Sequence, residues 1–369
     1  MEPVPPASRL SSLPFLCVLA LAGGCGAEPL EAPWQRSATP LALTRTRFAE
    51  VPAVGAISDL RIAGEELLVA GTCGVARLEL GTGRVLASAP YPLDCPPYLP
   101  ARFADVDGDG SLEIARLANG WVPPVAVLEL DGSLRWVQNV PAREDDLLDS
   151  DGDGCLEILV GNANESTVYL LDCRGNVLWQ REWGPSQNGV VDGARELVYA
   201  DGEVLAVCTA DGERIRTLAP PRVGYVNSLE KVAGLPGMPQ ARFLVGTYVK
   251  GAGQLWWAYG EELDVLGTVE RGDDHFAAGY FERVTIDPAR GLALALVEEQ
   301  HQAPVAGFQA SWLRVALFDA GGACVFEEPL EPGPEPVAGA PGAHVVLATR
   351  PLRLLVGYGP TLWEYREDA

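Results

Sequence analysis

Two stretches of the chain set carboxylates on alternate residues around glycines. The first reads Asp105-Val106-Asp107-Gly108-Asp109-Gly110-Ser111-Leu112-Glu113. The second, beginning at Asp149, reads Asp149-Ser150-Asp151-Gly152-Asp153-Gly154-Cys155-Leu156-Glu157. Acidic side chains at this density repel one another unless a cation neutralises them, and glycines let the backbone curl around a point. Calcium takes about six to eight hard oxygen ligands in flexible geometry, which suits side chains at positions 1, 3 and 5, a carbonyl at 7 and a carboxylate at 9. The expected Ca2+ ligands are therefore Asp105, Asp107, Asp109, the Ser111 carbonyl and Glu113 in the first loop. In the second they are Asp149, Asp151, Asp153, the Cys155 carbonyl and Glu157.

The position of the last carboxylate separates these loops from an EF-hand, which needs a bidentate Glu at position 12. Here position 12 is Arg116 in one copy and Val160 in the other. The segments that follow, Leu-Glu-Ile-Ala-Arg-Leu and Leu-Glu-Ile-Leu-Val-Gly, are short, β-rich runs ending at a turn, so each loop joins two strands. On these motifs the sequence resembles the FG-GAP/VCBS repeat family, the β-propeller repeats of integrin α-subunit heads and of many bacterial surface proteins. The resemblance is sharpest over residues 101–140 and 143–184. It implies an all-β propeller in which each calcium loop lies between the first two strands of a blade.

Loop and downstream Trp move together: Asp105 recurs at Asp149 and Trp136 at Trp179. Degenerate copies of the same order, a strand, a second strand, a Gly turn and a third strand, run from residue 57 to 365. The expectation is seven blades of four antiparallel strands. The last unit stops at its third strand, and Leu41 to Phe48 is the candidate to supply the missing outer one. Two Pro-rich interruptions, 300–310 and 329–342, read as inserted loops. Trp136 and Trp179, recurring at the end of a strand, are expected to pack blade on blade.

The first 25 residues read as a processing signal: Arg9, an apolar run from Leu10 to Ala22, and Leu21-Ala22-Gly23-Gly24-Cys25. The last of these is similar to a bacterial lipobox, which implies lipidation at Cys25 and attachment to the membrane through that lipid. Residues 26–41, rich in Ala, Pro and Glu, then form a tether and 42–369 the propeller. The localisation expected is the bacterial envelope, exported and anchored at the outer membrane. The 27 Lys plus Arg against 50 Asp plus Glu, a net charge of -23, disfavour nucleic acid and favour cations. In an oxidising compartment, blade geometry brings Cys155 at the start of one strand to face Cys173 at the end of the next, and pairs Cys73 with Cys95. Cys208 and Cys324 fall on different blades and read as buried thiols.

The catalytic inventory is thin. Three His stand outside any His-Glu-x-x-His spacing, and neither a phosphate loop nor a G-x-S-x-G elbow is present. Arg271-Gly272-Asp273-Asp274-His275 reads as a solvated turn. Trp121, Trp256 and Trp257 are the aromatics least regular in the repeat and the candidates for a ligand surface, with one of the adjacent pair Trp256 and Trp257 directed inward. These features point to a binding or scaffold module for an envelope protein or a carbohydrate. The pattern from Leu171 to Trp179 is also similar to the repeats of quinoprotein dehydrogenases, and some polysaccharide lyases are calcium-bearing propellers, so a propeller enzyme is the alternative.

Overall fold

The computed structural model describes residues 37–367 except 96–100, 117–123, 141–143, 163–166, 183–189, 193–196, 210, 223, 232–237, 239, 250–252, 270–281, 288–291, 303–308, 320–322, 331–343 and 349–351. The described residues form seven four-stranded antiparallel sheets. The first contains β2 (Ile57–Ala63), β3 (Glu66–Gly71), β4 (Gly74–Glu79) and β5 (Val85–Pro90), and the second β6 (Ala101–Ala104), β7 (Glu113–Arg116), β8 (Val125–Leu128) and β9 (Leu134–Gln138). The third holds β10 (Glu144–Leu148), β11 (Glu157–Asn162), β12 (Thr167–Leu171) and β13 (Val177–Glu182). The fourth holds β14 (Val190–Asp192), β15 (Leu197–Asp201), β16 (Val204–Cys208) and β17 (Arg214–Leu218). Next come β18 (Tyr225–Lys231), β19 (Phe243–Val249), β20 (Gly253–Tyr259) and β21 (Val265–Val269). The sixth sheet is β22 (Glu282–Asp287), β23 (Leu292–Gln302), β24 (Gln309–Phe318) and β25 (Cys324–Leu330). The seventh combines β26 (His344–Ala348), β27 (Arg353–Tyr358) and β28 (Thr361–Glu367) with the early strand β1 (Leu43–Glu50) on its outer edge.

The burial pattern explains the stacking. Middle strands such as β3 (ELLVAG) and β11 (EILVGN) are near-continuously apolar because each sheet is covered on both faces, and their side chains alternate between two neighbours. Leu67 and Val69 pack with Leu355 and Leu362 of the seventh sheet, whereas Leu68 and Ala70 pack with Phe103 and Ile114 of the second. Likewise Ile158 and Val160 face Val106 and Val127, while Leu159 faces Leu197 and Tyr199. The outermost strands β5, β13 and β17 are mostly exposed, and β9 is half-buried to exposed.

Closure has the expected form. Leu43 to Glu50 pairs antiparallel with Thr361 to Glu367, and β2 lies beside β26, so the first and last sheets meet. Ile57 and Val51 donate backbone hydrogen bonds to Gly359 and Pro360 at 2.8 Å each. Arg353 pairs with Glu364, donates to the Leu80 carbonyl at 2.7 Å and lies over the Phe48 ring.

Three boundaries differ from the sequence reading. The end of the expected tether belongs to the folded body, since Ser37 and Leu41 donate to the Cys324 and Val325 carbonyls and so satisfy backbone groups beside β25. The first Pro-rich interruption is shorter than expected: β23 and β24 pair out to Gln302 and Gln309, because pairing continues wherever no Pro removes a donor. Pro329 and Leu330 of the second are on β25, an edge strand where a missing N–H is tolerated. The signal, Cys25, the Arg271 to His275 cluster and Trp121 lie outside the described residues.

Candidate metal centre

Each acidic loop connects the first two strands of its sheet, β6 to β7 and β10 to β11. The first Asp organises the turn. Asp105 Oδ2 accepts the Gly110 N–H at 2.9 Å, and Asp149 accepts Gly152 N–H at 2.7 Å and Gly154 N–H at 3.2 Å. Gly108, Gly110, Gly152 and Gly154 all take positive φ, which folds the carboxylates to one side. The closing Glu is then drawn in at the start of the second strand: Glu113 Oε2 accepts the Val106 N–H at 2.8 Å, and Glu157 Oε2 accepts the Ser150 N–H at 2.7 Å.

The two loops gather different subsets of the expected ligands. In the first, carboxylate oxygens of Asp105, Asp107 and Glu113 come within 4.8 Å of one another; in the second, those of Asp149, Asp151 and Asp153 do. Asp109, expected as a ligand, is not in the first trio; it accepts the Ser111 N–H at 2.7 Å, and that N–H and the Ser111 hydroxyl hold its carboxyl below the usual range. Glu157 is not in the second trio; its Oε2 takes the Ser150 hydroxyl at 2.7 Å as well as the Ser150 N–H. Position 2 is Val106 in the first loop, which has no hydroxyl to offer. Ser111 and Cys155 remain at the position that offers a carbonyl, and the Cys155 N–H goes to Asp153 at 2.8 Å.

The residues of the first loop fit a hard cation. Glu113 is fully buried, and Asp105 Oδ1 beside it is a buried atom with no hydrogen-bond donor. Burial pushes the Glu113 carboxyl up, against the Val106 N–H and Arg135, and the charges of Asp107 and Asp109 add to the rise. A buried carboxylate oxygen without a donor, among further carboxylates, costs free energy that a divalent cation would offset.

One cation is already present. Arg135 on β9 places Nη1 2.7 Å from Asp107 Oδ2, Nη2 3.2 Å from Glu113 Oε1 and Nε 2.6 Å from Glu129 Oε1. The bond to Glu129 raises Arg135 further, so it stays charged. Sequence reasoning missed this residue. The available signal was a mismatch between repeats: counting back from the Trp, Arg135 corresponds to Leu178.

The loops are also in contact with each other. Leu156 N–H donates to the Val106 carbonyl at 2.8 Å, and a Cβ on Gly108 would press on the Gly154 carbonyl oxygen. Trp136 packs into the shared core, donates its indole N–H to the Cys173 carbonyl at 2.8 Å, and leaves a Cβ on Gly175 only 2.6 Å from its ring. Trp179 repeats the arrangement one sheet on, against Gly212. The disulfide between Cys155 and Cys173 pins the end of the second loop to the turn after β12, and a second joins Cys73 to Cys95. Both are the expected pairs, and Cys208 and Cys324 are buried cysteines in neither of them.

No family model matches the chain, and no curated protein matches it in sequence. Among solved structures it is similar to the WD40 domain of Neurospora crassa Pan2, with 12% identity and a TM-score of 0.50 over 91% of this chain and 98% of that one. The fold is a β-propeller. Its sheets are the blades, and the acidic loops belong to two adjacent ones. At this identity the likeness concerns the fold alone.

The aromatic candidates for a ligand surface need one correction. Trp257 is 5% exposed and packs with Val198, Phe243 and Val245 between blades, its indole N–H donating to Thr247 Oγ1 at 2.9 Å. An indole that is buried with its one donor satisfied is core rather than surface. Trp256 is placed on β20 by its backbone alone. The two disulfides suit an oxidising compartment outside the cytoplasm, and among the described residues no helix is long and apolar enough to cross a membrane.

Proposed function

We propose that the chain is a calcium-stabilised propeller of the FG-GAP/VCBS kind, with seven blades, serving as an exported binding or scaffold module rather than an enzyme. In this reading the signal and Cys25 attach it by lipid to a bacterial envelope membrane. The observation that carries the metal reading is the buried Asp105 Oδ1, which has no hydrogen-bond donor and converges with Asp107 and the buried Glu113 in a loop whose partner copy repeats the same carboxylates. Asp105, Asp107 and Glu113 would hold one ion, and Asp149, Asp151 and Asp153 the other. The ion's contribution is structural: it neutralises the loop that connects the first two strands of a blade.

A binding role is supported by the rim. Val85, Leu86, Leu134, Val137, Val177, Leu178, Ile215 and Val265 are each about 40–50% exposed, all on outermost strands. An apolar rim on a rigid ring suits a protein partner in an envelope assembly better than a carbohydrate, which asks for polar groups around a stacking face. The test of the metal reading is calcium titration of the chelated protein followed by thermal unfolding and elemental analysis. Uptake of about two ions with a melting temperature that rises with calcium concentration is expected, by roughly 4 °C per ion, or about 8 °C for both, once calcium reaches about a hundred times each Kd. A melting temperature insensitive to calcium and to chelation would refute it.

A further inference from the structure

The two acidic loops carry the same four carboxylate positions but not the same neighbours. At the first, the Arg135 guanidinium spans Asp107 Oδ2 at 2.7 Å and Glu113 Oε1 at 3.2 Å, two of the three residues whose oxygens converge there. At the second, the corresponding position on β13 is Leu178, which is 53% exposed and brings no charge. Glu113 is fully buried and paired with the guanidinium, while Asp105 Oδ1 remains a buried oxygen with no hydrogen-bond donor, so Arg135 neutralises this loop without saturating it.

We propose that Arg135 is a built-in competitor for the cation of the first loop, so that the two loops fill at different calcium concentrations, the second before the first. This rests on the metal reading of the loops. A divalent ion engaging Asp107 and Glu113 needs the oxygens that Arg135 now faces, and two cations cannot share them at close range without repulsion. Glu129 gives the guanidinium somewhere to remain when it withdraws. It already accepts Arg135 Nε at 2.6 Å and Nη2 at 3.3 Å through its own two oxygens, so release of Asp107 and Glu113 leaves Arg135 paired. The first loop therefore has two defined states, closed on Arg135 or open to an ion. The second loop has no such alternative at that position, and its charge is relieved only from outside.

The experiment is calorimetric calcium titration of the full chain after chelation, with Arg135→Leu, Leu178→Arg and Arg77→Leu beside the wild type. Leu is the residue that the next repeat carries at the same place, so Arg135→Leu is compatible with the strand. Arg77, paired with Glu66 at 2.7 Å in the first blade, controls for loss of one positive charge. The wild type is expected to fill in two steps separated by about tenfold or more in affinity, the scale of one nearby charge. Asp149→Asn with Asp151→Asn should remove the tighter step. Arg135→Leu should tighten the weaker step by about tenfold, and Leu178→Arg should weaken the tighter one, while Arg77→Leu changes neither. Calcium uptake in two equal steps, or a weaker step that Arg135→Leu moves no more than Arg77→Leu does, overturns the inference alone. Absence of uptake by both loops overturns the metal reading and the inference with it.

Discussion

The contact between the acidic loops makes a quantitative prediction, because the two repeats supply their own control. Gly108 and Gly152 occupy the same loop position, at φ of 73° and 81°. An Ala at either takes on the cost of a left-handed conformation, about 1–2 kcal/mol, part of which is offset by the lower entropy of the unfolded chain. Around Gly152 a Cβ would meet nothing within 4 Å, so Gly152→Ala stops at that cost, about 1 kcal/mol. Around Gly108 the same Cβ meets the Gly154 carbonyl oxygen, which is backbone and has no rotamer to turn away. Overpacking of this kind adds about 1–3 kcal/mol. For a folded body of this size the unfolding entropy is about 0.7 kcal/mol/K, so Gly152→Ala should lower the melting temperature by about 1–2 °C and Gly108→Ala by about 3–6 °C. Differential scanning calorimetry of both variants, each with calcium and with chelator, reads the difference. Equal depressions would mean that the loops do not touch, and would remove the physical basis for treating them as one two-part centre.

Removal of the disulfide beside the second loop, by Cys155→Ala with Cys173→Ala, should destabilise by about 3 kcal/mol on loop-closure grounds, or about 4 °C in melting temperature. Under the metal reading it also weakens the second calcium step; an unchanged melting temperature would contradict the bracing role. A pH prediction comes from the seam between the first two blades, where Asp59 Oδ2 accepts the Phe103 N–H at 2.8 Å and Ser58 bonds the Ala101 N–H and carbonyl. Burial raises the Asp59 pKa above 3.8 despite Arg61 and those N–H donors, so the native state binds that proton more tightly than the unfolded chain does. The Asp59 contribution is therefore fully present below pH 3.8, declines as pH rises through the folded pKa, and is constant above it. Asp59→Asn should lack this slope, and urea unfolding from pH 3.5 to 7 should show the two stability curves diverging only in the acidic window. Parallel curves throughout would mean that Asp59 titrates alike in both states.

What the sequence made legible was whatever repeats. Strands buried on both faces are near-continuous apolar runs, so segments such as Leu67 to Gly71 and Glu157 to Gly161 announce themselves, and the truncated last unit points to an N-terminal strand for closure. The two disulfides were legible for the same reason, since strand order alone brings Cys155 opposite Cys173. The sequence expected one of Trp256 and Trp257 to point inward without saying which, so Trp257 stood among the surface candidates although it is the inward one. A hydroxyl on an adjacent strand, Thr247, satisfies its indole, and such a partner emerges only from the register of β19 against β20. The loops themselves were legible as ligand sets but not as environments. Ser150 against Val106 decides whether the closing Glu also takes a hydroxyl from its loop, and Arg135 against Leu178 decides whether a cation is already there. Those residues lie outside the carboxylate pattern, and Arg135 reaches Asp107 from a strand 28 positions along the chain. Similarity between the repeats thus specifies the scaffold, while their differences specify the chemistry. In a propeller, where every blade repeats one backbone plan, a change at one facing position, Arg135 against Leu178, gives two repeated loops different electrostatic surroundings.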